Sequence, residues 1–279
     1  MYFRFAWRYF KAKKSANAIN IIAWVTTTVI AFATCCQLLV LSVFNGFEGL
    51  VKSLYSSFYS DIRIIPAAGK TFKLTSAQIE SIGKMPFNAG MAMIAEEKAL
   101  LQNGESQTVI SLKGVDKNYK NISGVITHIS SGNFDVGSLD TPKLVVGYGV
   151  QNAGSINLSE PFPPSVVTLI LPKKTKEAVA ADAMSEGNAT AAGVFTIQQE
   201  IDNQYALTNI DFIKQQMGFE TEEYSAAEIK LSLKADDQDA QETIQKFLGA
   251  AYKVQTRYEQ NANLYSTMRL EKWAIYAVL

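Results

Sequence analysis

The 279 residues hold only two cysteines and one histidine. Cys35 and Cys36 are adjacent, so they build neither a disulfide framework nor a zinc site and read as small packing residues. His128, in "ITHISSG", would have to be the base of any serine-histidine-acid site, and no "GxSxG" elbow accompanies it. A phosphate-cradling "GxxxxGK[ST]" loop is missing as well. The carboxylates Asp236, Asp237 and Asp239 are explained by a helix N-terminus, where the dipole favours acids. These absences point to a chain that is not an enzyme and that carries no cofactor or metal.

Charge is missing in a more telling way. No charged residue lies between Lys14 and Glu48, and Ile19 to Phe44 is dominated by Ile, Val, Leu, Ala, Phe and Trp. About 20 such residues cross a hydrocarbon core of about 30 Å, so residues 19–44 read as a transmembrane helix. Thr26, Thr27, Thr28 and Thr34 are tolerable there because a helical hydroxyl can bond the carbonyl one turn earlier. The run is too long for the apolar core of a cleaved signal. A lipoprotein signal before Cys35 is disfavoured by Phe32 three positions upstream and by the apolar residues beyond it. Residues 1–18 carry Arg4, Arg8, Lys11, Lys13 and Lys14 and no acid, which places the N-terminus in the cytoplasm. The aromatics among them suit a segment lying on the inner leaflet. Without those five cations the rest has 21 basic and 26 acidic residues, which argues against a nucleic-acid partner.

Beyond the apolar helix the chain reads as α+β. "SDIRIIP" alternates like a strand, and "TSAQIESIGKM" reads as a helix with Thr75 and Gln78 as a capping box. "AMIAEEKALLQNGESQTVISLKG" reads as a hairpin about Asn103-Gly104. "AEIKLSL", with Ile229, Leu231 and Leu233 on one face, then "DDQDAQETIQKFLG" and "AYKVQT" repeat the β-α-β theme. Two such units, 61–113 and 222–258, thus flank an insert over 114–221, within a domain of residues 61–258. In the insert, "TPKLVVGYGVQNAGSI" reads as a strand entering a short helix, "SVVTLILP" and "GVFTIQQEI" as strands, and "NIDFIKQQMG" as a helix. Lys173 to Ala192 is small and polar and reads as a projecting loop or hairpin tip. Residues 259–279 read as one helix whose last seven, Trp273 to Leu279, begin a second span. Seven residues rise only about 10 Å, so the sequence reads as a fragment.

Past the membrane the first helix keeps an apolar seam, Phe44, Phe47, Val51, Leu54 and Phe58, through a stalk over residues 45–60. Such a seam wants a partner helix, and Tyr258, Ala262, Tyr265 and Met268 share one face of the returning chain.

"RYFKAKKSANAINIIAW" and "VLSVFNGFE" resemble the opening of the lipoprotein-releasing ABC transporter permeases of the LolC and LolE type. "VVGYGVQNAGSINL" is similar to that family's "xxLGxxLAxxLxL" segment, and "NANLYSTMRLEKWAIYAVL" to its "NxxLFxALxLEKxxMxxxL". Arg257 stands where the family has a tryptophan. The resemblance implies a MacB-like periplasmic domain, with the split β-α-β units as a "porter" and the insert as a "sabre" subdomain. It implies an inner-membrane subunit of four spans that extracts lipoproteins from the outer leaflet. Its partners would be an ABC ATPase, a second permease subunit, membrane lipid and a periplasmic lipoprotein carrier. A slot for acyl chains is expected at Val40, Val43, Phe44, Phe47, Val51, Leu54, Tyr265 and Met268. A carrier-binding loop is expected at Lys173, Lys174, Lys176 and Glu177, although that loop is alanine-rich and lacks an internal proline. The alternatives are a MacB-like efflux or FtsX-like signalling permease, or a single-span anchored binding domain.

Overall fold

The computed structural model describes residues 2–11, 17–158, 161–174 and 183–278. They form two compact units, Met1–Val51 with Ser266–Leu279, and Lys52–Tyr265.

In the first unit, α1 (Tyr2–Lys11) leaves Tyr2, Phe5 and Trp7 exposed beside Arg4 and Arg8. Helix α2 (Asn17–Phe58) is 42 residues long, about 63 Å at 1.5 Å per residue, and runs through Asn45-Gly46 without a break. Among the described residues it is the one helix long and apolar enough to cross a membrane. Thr26 and Thr34 donate to the carbonyls of Ile22 and Ile30, which spares an unpaired hydroxyl in an apolar stretch. Helix α10 (Ala262–Val278) belongs to this unit from Ser266 onward, and Lys272 Nζ meets Glu48 Oε2 of α2 at 3.2 Å.

The second unit is built on one ten-stranded sheet. Strand β1 (Ile62–Pro66) is followed by the short β2 (Phe72–Lys73) and by α3 (Ser76–Gly83). Thr75 and Gln78 close the expected capping box on α3, satisfying two amides that the first turn leaves free. The hairpin is β3 (Asn88–Asn103) and β4 (Ser106–Val115), and Gly104 takes the left-handed conformation (φ 58°) that its tight turn needs. After α4 (Tyr119–Ile122), a 3₁₀ turn and β5 (Ile129–Gly132) come β6 (Lys143–Gly147) and α5 (Tyr148–Ala153). Strands β7 (Val166–Pro172) and β8 (Met184–Phe195) pair antiparallel. Next come α6 (Gln199–Asp202), β9 (Tyr205–Asn209) and α7 (Ile210–Met217), which stops at left-handed Gly218. The chain returns through β10 (Glu223–Tyr224), β11 (Ala226–Leu231), α8 (Asp237–Leu248), β12 (Tyr252–Thr256) and α9 (Arg257–Gln260). Asp236 caps α8 by accepting from the amides of Gln238 and Asp239, so the carboxylate cluster is a helix start.

The sheet order is β12-β1-β11-β3-β4-β9-β6-β8-β5, with β7 pairing both β3 and β8. Chain-distant β1 and β12 pair antiparallel, Ile62 opposite Thr256. The insert is therefore not a separate layer: its β9 runs parallel to β4, Ser111 opposite Tyr205. One face of the sheet buries Ile62, Ile64, Met93, Leu101, Leu112 and Ile229 against Ile82 of α3, Ile213 of α7 and Ile244 of α8.

Four expectations are corrected. Residues Met184 to Ala192 are strand, not loop: Ala189 and Ala191 are buried, and a side chain at Gly187 would meet the Phe212 ring at 2.7 Å. Small residues there admit α7, and that smallness disguised the strand. "GVFTIQQEI" leaves the sheet at Phe195 and turns into α6. Leu233 lies beyond the end of β11 and is fully exposed. The returning helix is two helices, because Asn261 (φ −121°, ψ 37°) leaves helical geometry between α9 and α10.

At Gly147 a Cβ would lie 2.3 Å from the Asp202 carbonyl oxygen, whereas Gly83 faces open space. We expect Gly147→Ala to destabilise the domain by about 1–3 kcal/mol and Gly83→Ala to cost nothing. Thermal melts of the two variants check this.

Candidate functional site

Glu48 and Lys272 fix which flanks of α2 and α10 meet within the first unit. Phe44 and Val51 stand one turn either side of Glu48 and are half-buried, and Met268, one turn before Lys272, is 8% exposed. Val40, one turn before Phe44, is 45% exposed, and Val43 and Phe47 are exposed by 72 and 57%. The expected slot residues on α2 thus share one side of the helix and grade from half-buried to exposed. In the second unit Leu54 is half-buried, and Tyr265 is buried with its ring stacked on Tyr258 at 4.6 Å. Ala262, expected on the same face, is exposed.

Of the expected carrier-binding residues, Lys173 donates its backbone amide to the Ala183 carbonyl, just past the last β7–β8 pair at the turn end of the hairpin. Lys174 pairs with the buried carboxylate of Glu223. Burial pushes the Glu223 carboxyl up, but bonds from Lys174 and Thr71 outweigh that and hold it below the usual range. Lys176 and Glu177 lie outside the described residues. His128 closes a turn, its Nδ1 3.0 Å from both the Gly124 carbonyl and Thr127 Oγ1.

The densest set of interactions gathers where the last turn of α2 meets the other face of the sheet. Phe58 is 2% exposed, with its ring centre 4.5 Å from Tyr205 and 5.3 Å from Tyr59. Lys113 Nζ sits 4.8 Å above the Phe58 ring and 4.9 Å above Tyr119, so a cation is held between two aromatic faces. The same ammonium bonds both oxygens of Glu228, at 2.8 and 3.0 Å, and each residue is 1% exposed. Arg63 bonds Glu96 at 2.6 Å and lies 3.5 Å from Glu228. Register explains the lattice: Arg63 is opposite Glu228 across β1 and β11, and Glu96 opposite Lys113 across β3 and β4.

Burial works against the charge on Lys113, yet Glu228 beside it wins and raises its pKa. Burial likewise pushes Glu96 up, but Arg63 and Lys113 hold it below the usual carboxylate range. Burial raises Tyr59, Tyr119 and Tyr205, which therefore stay neutral.

Around this cluster the helix end is held from both parts of the domain. Tyr55 donates its hydroxyl to Glu200 Oε2 of α6 at 2.7 Å, and the Ser57 carbonyl accepts from the Gly124 amide at 2.9 Å. A Cβ at Gly124 would lie 2.9 Å from the Ser57 Cα, so this contact requires glycine. From the end of β12, Arg257 donates to the Tyr59 carbonyl at 3.2 Å and pairs with Asp61. Arg257 thus has a packing role of its own where the resembled family has tryptophan. Chemically the arrangement is a clamp: paired charges, neutral phenols and stacked rings. Sequence reading missed it, because a charge at every second strand position is also what a solvated face looks like.

No known protein family's sequence profile matches the chain, and no curated protein matches it by sequence. The chain is similar in structure to the periplasmic region of MacB from Actinobacillus actinomycetemcomitans, with a TM-score of 0.52 and 11% identity. That likeness covers 78% of this chain and 98% of the other, and it shows a MacB-like periplasmic fold. The extracellular domain of the noncanonic ABC-type transporter YknZ from Gram-positive bacteria aligns at a TM-score of 0.44 and 13% identity, covering 70% of this chain and 99% of that one.

The clamp can be tested in two ways. Glu228→Gln leaves the Lys113 ammonium buried without its counter-charge and should cost about 3–5 kcal/mol, whereas Lys113→Met with Glu228→Leu should recover most of it; urea denaturation reads both. Because the folded-state pKa of Glu96 is depressed, its contribution is complete above about pH 4.3 and disappears as pH falls through the lower folded value. Melting temperature should therefore drop in that acid window, and Glu96→Gln should flatten the drop.

Proposed function

We propose that this chain belongs to a permease subunit of an ABC transporter in the inner membrane, and that the transporter extracts lipoproteins from the outer leaflet and hands them to a periplasmic carrier. The observation that carries the reading is the pairing of one apolar 42-residue helix with a MacB-like periplasmic fold that clamps that helix's last turn. The family resemblance at both ends of the sequence supports the lipoprotein cargo.

In this reading a separate ATPase subunit does work on the cytoplasmic side, and α2 carries the displacement outward. Its end reaches the insert through Tyr55 and Glu200 and the porter strands through Phe58, Lys113 and Arg257, so both parts of the domain answer to one helix. Val40, Val43 and Phe47, exposed on one flank of α2, meet the acyl chains of the cargo. Extraction costs about 0.8 kcal/mol for each CH₂ brought into water, and an apolar flank lowers that cost along the way. A second permease subunit encloses the slot. The turn end of the β7–β8 hairpin, with Lys173 and Lys174 just past β7, faces the carrier.

The test is copurification of triacylated lipoprotein with the full-length permease bound to its ATPase. Phe47→Asp puts a charge on the acyl-facing flank and should reduce that cargo at least tenfold while the complex stays intact. Unchanged cargo rejects the slot. A wild-type complex that hydrolyses ATP and holds no acylated protein would replace lipoprotein release with efflux or signalling.

A further inference from the structure

Among the described residues the ten-stranded sheet ends on one side at β12, which pairs with β1 alone. A strand so placed ordinarily leaves half of its amides and carbonyls open to another chain. At the other end of the sheet, β5 is four residues long and its register against β8 is irregular, which blunts that edge. Strand β12 pairs with β1 in unbroken register, so its outer edge needs another guard.

Alternation turns Tyr252, Val254 and Thr256 away from β1, and side chains meet them there. The Val254 amide donates to Gln245 Oε1 at 2.9 Å, and its carbonyl accepts from Gln241 Nε2 at 2.9 Å. The Tyr252 carbonyl accepts from Gln245 Nε2 at 2.8 Å, while its amide donates to the Gly249 carbonyl at 3.4 Å. The Thr256 amide donates to Glu259 Oε2 at 2.9 Å, and the same oxygen accepts from Gln241 Nε2 at 2.7 Å. Gln245, Gln241 and Glu259 thus form a row along the line that a further strand would take.

Spacing makes the row possible. Gln241 and Gln245 are one turn apart on α8, about 6 Å along its axis, and outward-facing strand residues recur about every 7 Å. A carboxamide offers an acceptor and donors on neighbouring atoms, as a peptide group does. Each glutamine therefore stands in for one peptide of an absent strand. Both follow buried residues, Ala240 and Ile244, so the core fixes the flank of α8 that carries them. Gly249, at a φ of 79°, ends α8 and lets the chain turn directly back into β12.

We propose that Gln241 and Gln245 close the outer edge of β12 against pairing with a second copy of this chain. Two copies of one edge match in antiparallel pairing, because Val254 can exchange both of its bonds with Val254 of the other copy. Lys253 would then stand opposite Gln255, so no like charges oppose the contact. The two glutamines are positioning residues: they occupy the bonds that such a pairing needs. This role does not rest on the transport reading, and either can fail without the other.

Gln241→Met with Gln245→Met keeps good helix formers on α8 but removes the bonds. Light scattering after size exclusion reads the whole chain in detergent, with the micelle mass subtracted. The double variant should show twice the protein mass of the unaltered chain at the same concentration. Its Val254 amide should exchange hydrogen at least tenfold more slowly in concentrated than in dilute samples. A folded variant of unchanged mass overturns the proposal. So does a doubled mass with Val254 exchange independent of concentration, since the contact would then lie elsewhere. In the unaltered protein the Val254 amide should exchange at least tenfold more slowly than that of exposed Leu233. Equal rates there overturn the proposal even if the double variant does not fold.

Discussion

Lys113 and Glu228, bonded to each other at 2.8 Å and both sealed from water, impose the condition on which the rest of the domain depends. Two charges removed from solvent are tolerable only while every compensating group stays in place. Here those groups come from four places: the Phe58 ring from the end of α2, Tyr119 from α4, Arg63 from β1, and Glu96 from β3. Removing any of them would leave charge in an apolar setting, so the pair forces the helix end and the sheet to form together. A greasy contact of the same area would hold the helix as firmly but would let it slide. The charged lattice has one register.

Much of the architecture is legible in residues whose local chemistry is unambiguous. Thr75 and Gln78 announce α3, Asn103-Gly104 the hairpin, Asp236 the start of α8 and Gly218 the end of α7. Each works within a turn or two of chain, and distant packing does not overrule it. The apolar seam of α2 is equally legible as a helix. Which of its residues lie nearest α10 needed the Glu48–Lys272 contact, which no sequence spacing reveals.

The misreadings share a different cause. Strand β8 is built of alanine and glycine because α7 lies close upon it, so its composition reports a neighbour rather than a strand. Strand β9 gives no strong local signal and is held by parallel pairing to β4, almost a hundred residues earlier in the chain. The clamp residues Arg63, Glu96, Lys113 and Glu228 look solvated because the sequence does not say that the end of a helix will cover that face.

The pairing of β1 with β12 has a consequence for how the molecule is made. Ile62 meets Thr256, so nearly two hundred residues must be synthesised before the first strand finds its outer neighbour. Contacts so far apart in sequence form slowly, whereas hairpins such as β3–β4 and β7–β8 can close as soon as they emerge. The nascent chain therefore carries an orphaned opening strand for most of its elongation, beside the long apolar helix that precedes it. Its maturation ends with β12 arriving to shut the sheet on β1, and until β11 has brought Glu228 the lysine at its heart has no counter-charge.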